Sequence, residues 1–149
     1  MAGDDDVAVI AWLCSAWTGG DPRDPELAEW MAAWLADEGQ RRTTWLAFAG
    51  ELPIGMVGLA EYRRMPRPGR RDSRWGYVSG MFVLEEFRGR GAGAALLAAL
   101  ITAADERSYA RVVVSPSDEA ISFYRRAGFV LPGSAPGAEA LLVRPAAAV

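Results

Sequence analysis

Residues 88 to 94 read Arg-Gly-Arg-Gly-Ala-Gly-Ala, directly after an apolar run and directly before a long stretch rich in alanine and leucine. The glycines strip side-chain bulk from the start of a helix. Backbone N–H groups lack partners there, and the helix dipole adds partial positive charge. An anion can approach such amides closely, and Arg88 and Arg90 add two cations. A diphosphate suits a nest of this kind. A Walker-type phosphate loop is excluded, because the chain has no lysine. The dinucleotide fingerprint is half met, since Gly89-x-Gly91-x-x-Ala94 satisfies G-x-G-x-x-A. Its acidic residue belongs about twenty positions on, at the end of the next strand. That strand ends at Val114-Ser115, and the nearest acids, Asp105 and Glu106, lie within the helix. Too little chain follows for the further βαβ units of a dinucleotide domain.

Composition removes other chemistries. All sixteen basic residues are arginine, and histidine, lysine and asparagine are absent. No histidine can serve as general base or metal ligand, and no lysine can form a Schiff base. The single cysteine, Cys14, rules out an internal disulfide and a cysteine metal site. It sits in an apolar run, where a packing role is expected. The formal net charge of -3 lacks the basic field of a nucleic-acid binder. No apolar stretch reaches the twenty or so residues of a membrane span. The first apolar run follows Asp4-Asp5-Asp6, where a signal peptide would carry positive charge. The reading is a cytoplasmic protein with no metal, no nucleic-acid partner and no membrane anchor. Its 149 residues suit a single domain spanning 1–149.

The elements that must carry the glycine loop follow from periodicity. Val9, Ile10, Leu13, Ala16 and Trp17 repeat at helical spacing until Gly19-Gly20. Asp24-Pro25 reads as an N-cap with proline at the first helical position. Leu27, Trp30, Met31, Trp34 and Leu35 then form one helix face, with Trp30 and Trp34 expected in the core, and Gly39 ends it. Thr43–Phe48 and Ile54–Tyr62 read as an antiparallel hairpin turning at Gly50-Glu51. A loop rich in arginine, proline and glycine runs from Arg63 to Arg74. A third strand spans Trp75–Leu84. The longest helix, Gly89–Arg107, presents Leu96, Leu97, Leu100, Ile101 and Ala104 on one face. Val112-Val113-Val114 is wholly apolar, as a strand covered on both faces requires. Ser115-Pro116-Ser117-Asp118 fits a capping box for a helix ending at Gly128. Short strands are expected near Phe129–Leu131 and Ala140–Val143, separated by Pro132–Gly137. The order makes an α/β domain with a mixed sheet.

With these elements in place, Arg88-x-x-Gly91-x-Gly93 resembles the (Q/R)-x-x-G-x-(G/A) motif of the GNAT superfamily of acyl-CoA-dependent N-acetyltransferases. Met81-Phe82-Val83 is similar to the end of that family's fourth strand. Ala120-Ile-Ser-Phe123-Tyr124-Arg-Arg-Ala-Gly128-Phe129 resembles its A-x-x-F-Y-x-x-x-G-F signature. The two motifs lie about as far apart as the family has them, with a helix and a strand between. The resemblance covers residues 75 to 130 closely and the rest only in general. It implies a mostly antiparallel central sheet flanked by helices. The family's first strand is missing here, and the family's frequent asparagine before the last motif is Ser117.

The resemblance implies acetyl-CoA as co-substrate. Backbone groups of Arg88, Gly89, Arg90, Gly91, Ala92, Gly93 and Ala94 would hold its pyrophosphate, with Ser117 nearby. Its pantetheine arm would pair with the edge of Met81, Phe82 and Val83, between two splayed strands. A primary amine would attack the thioester directly in a ternary complex, with a backbone N–H near Met81 or Val83 meeting the oxyanion. Tyr124 would protonate the departing thiolate. Several relatives carry a glutamate base at the position that is Tyr77 here. Glu61 is the best remaining carboxylate, and Glu85 and Glu86 fall at the strand end. Trp75 and Tyr77 are the expected acceptor-pocket residues. Many relatives dimerise, which makes a homodimer compatible with the family. A non-catalytic acyl-CoA-binding module would share the cofactor motif without the chemistry. Nothing in the residues names the amine.

Overall fold

The computed structural model describes residues 1–3, 6–69, 73–131 and 141–146. Two helices come first, α1 (Val7–Thr18) and α2 (Pro25–Glu38). A three-strand meander follows: β1 (Arg42–Ala49), β2 (Leu52–Arg63) and β3 (Arg74–Val83). Then come α3 (Ala92–Glu106), β4 (Arg111–Val114), α4 (Ile121–Arg126) and β5 (Leu142–Pro145). The sheet order is β1-β2-β3-β4-β5. Only β3 and β4 run parallel, and α3 makes the crossover between them. The mixed, mostly antiparallel sheet flanked by helices is the architecture expected from the sequence.

Strand alternation divides the sheet into two faces. On one, Val57, Leu59, Val78, Val112 and Val114 pack against Leu96, Leu97 and Leu100 of α3 and against Tyr124 and Phe129. On the other, Met56 and Phe82 pack against Ile10 and Leu13 of α1. Val112, Val113 and Val114 are all buried, as a central apolar strand should be. Asp24 caps α2 as expected, accepting from the Glu26 N–H at 2.9 Å.

Several expectations need correction. Trp30 and Trp34 are 62% and 44% exposed, not in the core. The reason is that α2 buries no residue fully, and only Met31 and Leu35 of its apolar face reach the α1 core cluster. Trp17 is likewise half exposed, although its ring stacks on Phe82. The longest helix begins at Ala92, three residues after Gly89, because Gly89 and Gly91 adopt φ of 74° and 89° and so cannot be helical. The capping box does not form as written. The first turn after β4 is a 3₁₀ turn from Asp118, with Ser117 at its N-cap making no side-chain cap bond. Of the tail strands, the first is reduced to a single bridge from Val130 to Val143, and the second lies at Leu142–Pro145. Pro132–Gly137 falls outside the described residues. Among the described residues no strand precedes α1, but the Ala2 N–H donates to the Thr44 carbonyl at 2.8 Å on the outer strand. No described helix is long and apolar enough to cross a membrane.

Candidate active site

β3 and β4 share only two rungs, Gly76 with Val112 and Tyr77 with Val113. Beyond them β4 runs one residue further, to Val114, paired only with β5, while β3 continues to Val83. The separation has a local cause. Gly58 opposes Ser79 and Met56 opposes Phe82, so Gly80 and Met81 bulge together against Val57. Gly80 sits at φ 60°, a conformation that suits glycine, and a bulge of this kind bends its strand. A glycine inside a strand pattern can mark such a bulge, but Gly55, Gly58, Gly76 and Gly80 all lie within strands, so the sequence did not single out Gly80. The Leu84 N–H turns toward β2, where it meets the Ile54 carbonyl at 2.8 Å. By alternation with Leu84, Val83 directs its backbone groups to the open side. The Val83 carbonyl accepts from Arg88 Nε at 2.9 Å. Arg88 therefore clamps the end of the strand, and its ring neighbour is Phe82, with 5.9 Å from guanidinium to centroid. Arg90 lies 5.7 Å from the Phe87 ring.

The glycine loop lies at the end of this free edge. Among the described residues the N–H groups of residues 89 to 94 meet no protein acceptor. The first helical bond runs from the Ala95 N–H to the Gly91 carbonyl at 2.9 Å. A Cβ built on Gly89 or Gly91 meets nothing within 4 Å, so the loop is not packed against the rest of the protein at these two positions. The donors form an unsatisfied, anion-seeking row of the kind that cradles phosphate. Gly93 has a second use. A Cβ there would stand 3.5 Å from the Phe123 ring, so the glycine lets α4 approach α3 closely.

Tyr124 follows Phe123 on α4, and Tyr77, in the last rung that β3 shares with β4, is its electrostatic neighbour. The Tyr124 side chain is 4% exposed, edge-on to Phe123 and Phe129 at 5.1 and 5.5 Å. Its hydroxyl has no hydrogen-bond partner among the described residues. No buried side-chain oxygen or nitrogen among them lacks a partner, so this hydroxyl must reach open space. Burial, with a smaller contribution from the neighbouring Tyr77, pushes its pKa up to about 12. The group stays protonated and can act as a donor.

Residues 6–129 match the sequence model of the acetyltransferase (GNAT) family. The chain belongs to this family. Among curated proteins none matches significantly. Solved structures share the GNAT fold at low identity. A predicted acetyltransferase from Clostridium acetobutylicum, solved with acetyl-CoA, superposes with a TM-score of 0.70 at 20% identity over 91% of this chain and 90% of that one. An acetyltransferase from Trypanosoma brucei gives 0.72 at 18% identity, over 91% and 93%. A ribosomal-protein-alanine N-acetyltransferase from Brucella melitensis gives 0.69 at 21% identity, over 91% and 94%.

Within this GNAT domain the other expected site residues fall on both faces. Tyr77 pairs with Ala60, and Trp75 with Tyr62, on the face that carries α1 and α2. The Tyr62 and Trp75 rings stack at 4.6 Å. Glu61 lies on the opposite face. Its carboxylate accepts from the Tyr109 hydroxyl at 2.7 Å and from Arg63 Nε at 3.1 Å. Burial raises its pKa, but the Tyr109 and Arg63 hydrogen bonds and the charge of Arg74 outweigh it, so the net shift is downward. The structure does not bring Glu61 together with Tyr77. Ser117 is exposed, in the loop before α4, and Glu85 and Glu86 are exposed in the turn after β3.

Sequence reasoning missed a cluster on the Tyr77 face. Arg42 bonds Glu38 at 3.1 Å and the Ser79 hydroxyl at 2.8 Å, and its guanidinium lies 4.4 Å over the Trp34 ring. The Glu38–Arg42 spacing of four residues was visible. It spans a helix end and a strand start, so helical periodicity did not flag it.

Proposed function

We propose that this chain transfers an acetyl group from acetyl-CoA to a primary amine by direct attack in a ternary complex. The observation that carries the reading is the parting of β3 from β4 after Tyr77. The amides of residues 89 to 94 follow that edge in the chain, and the Tyr124 hydroxyl, without a partner among the described residues, neighbours Tyr77 at its start.

The N–H groups of residues 89 to 94 bind the pyrophosphate. The open edge at Met81 to Val83 pairs with the amide-bearing arm as an added strand would. The Met81 N–H is the donor for negative charge growing on the thioester oxygen. Tyr124 gives its proton to the departing thiolate, which its raised pKa permits across the neutral range. Trp75 and Tyr77 line the acceptor side. Glu61 serves structure rather than proton transfer. Two hydrogen bonds stabilise its charged form, which makes it a weak base, and it faces away from Tyr77. Water takes the proton from the ammonium instead.

Isothermal titration with acetyl-CoA tests the binding half, and thiol release over an amine panel tests the transfer. Binding with saturable, amine-dependent thiol release is expected. Absence of binding at high micromolar acetyl-CoA overturns the proposal. Tight binding without thiol release over the panel leaves a non-catalytic acyl-CoA-binding module.

A further inference from the structure

Arg42, Ala60 and Tyr77 lie side by side across β1, β2 and β3, on the face away from α3. Strands stand about 4.8 Å apart, so the Arg42 backbone is about 10 Å from that of Tyr77. The Arg42 side chain closes much of that gap. It crosses β2 over Gly58, and a Cβ on Gly58 would stand 3.5 Å from Arg42 Nη1 and 3.2 Å from the Ser79 carbonyl. The guanidinium ends at Ser79, the residue before the Gly80–Met81 bulge.

Three contacts from two elements hold this group: Glu38 and Trp34 on α2 and Ser79 on β3, with Arg42 itself starting β1. Its side chain is only 16% exposed. Glu38 takes Nε and Ser79 takes Nη1, which leaves Nη2 with no acceptor among the described residues. Arginine carries five N–H donors, two on each terminal nitrogen, so a carboxylate can still accept from Nη2 although Nε and Nη1 are each engaged. Arg42 also lines an open groove of about 1420 Å³ bounded by α1, α2, β1 and the outer ends of β2 and β3. Arg41, Arg63, Arg74 and Arg107 border the same groove, against Asp37, Glu38 and Glu61. Arg107 bonds the Thr43 hydroxyl at 3.0 Å and has no carboxylate partner among the described residues.

Resting on the acetyltransferase reading above, we infer that Arg42 is the specificity-determining residue of the acceptor site and that the acceptor is an amine bearing a carboxylate a few bonds from its nitrogen, as an α-amino acid does. Ser79 and Met81 lie two residues apart on β3, about 7 Å along a strand, and this sets the limit. A carboxylate held at Nη2 beside Ser79 leaves an α-amino nitrogen in reach of the open edge at Met81, and a remote carboxylate does not.

The test measures kcat/KM by thiol release for L-amino acids and for their carboxamides, in the wild-type protein and in Arg42→Gln. The wild type should favour the acids at least ten-fold, and the ratio should fall close to one in Arg42→Gln. Arg42→Lys, which keeps the charge but loses the guanidinium, should give an intermediate ratio. Equal use of acids and amides by the wild type overturns the inference, as does a ratio unchanged in Arg42→Gln. If acetyl-CoA binds but no pair is turned over, titration of the same pairs into CoA-saturated protein reads the same ratio, and equal affinity overturns the inference. Loss of acetyl-CoA binding in the wild type would instead defeat the acetyltransferase reading, and isothermal titration separates that failure from the others.

Discussion

Tyr77 and Val113 form the last rung that β3 and β4 share. One residue pair therefore marks where a continuous sheet becomes a cleft. The Tyr124 ring, carried by α4, is buried near this point with its hydroxyl unbonded among the described residues. The chemistry proposed for the chain depends on that coincidence.

Tyr124→Phe removes the hydroxyl and keeps the ring that packs on Phe123 and Phe129. Turnover should fall about 100-fold, the lower range for a lost general acid. The acetyl-CoA dissociation constant should stay unchanged in a calorimetric titration. An equal loss in kcat and in cofactor affinity would assign Tyr124 to binding.

The same residue sets a pH signature in stability. Its pKa rises from an ordinary 10 to about 12 in the fold. The folded state therefore holds the proton more tightly than the unfolded chain, and stability falls as pH rises between those values. Tyr124→Phe should flatten the urea-midpoint profile between pH 10 and 12. A wild-type profile equally flat there would contradict the raised value.

Glu61 should behave in the opposite sense. Its depressed carboxyl contributes stability above its unfolded pKa, and that contribution is lost as pH falls through the folded value. Glu61→Gln should lower the melting temperature at neutral pH, with the gap from wild type closing in acid. Thiol release should stay within a few-fold of wild type. A collapse of turnover without a change in melting temperature would return Glu61 to the role of base.

Gly91 caps α3 at φ 89° with open space around its missing side chain. The cost of Gly91→Ala is thus backbone strain and not a clash, about 1–2 kcal/mol. Relief of that strain would turn the amides away, so acetyl-CoA affinity should drop while Tyr124 chemistry persists at saturation. Gly55→Ala differs, because its Cβ would meet the Phe82 carbonyl at 2.9 Å. A fixed backbone atom cannot yield, and thermal stability should fall.

Local order was written in the chain. Proline after Asp24, glycines at 89, 91 and 93, and the valine run at 112–114 each impose a backbone state or a degree of burial by their own chemistry. The two motifs and their spacing were enough to name the family and the sheet. Periodicity was less informative for α2, since it reports that one face is apolar but not whether anything covers that face. Trp30 and Trp34 are the result. Pairing across strands was beyond reach in the same way. Register brings Arg42, far along the chain, level with Tyr77, and a bulge at Gly80 decides where the sheet opens. Such relations arise only when separate segments pay the entropy of meeting. The chain by itself therefore determined which residues could hold a phosphate and release a proton. Tertiary packing decided which of them share a face, which carboxylate is already bonded, and which strand Arg42 reaches across the sheet.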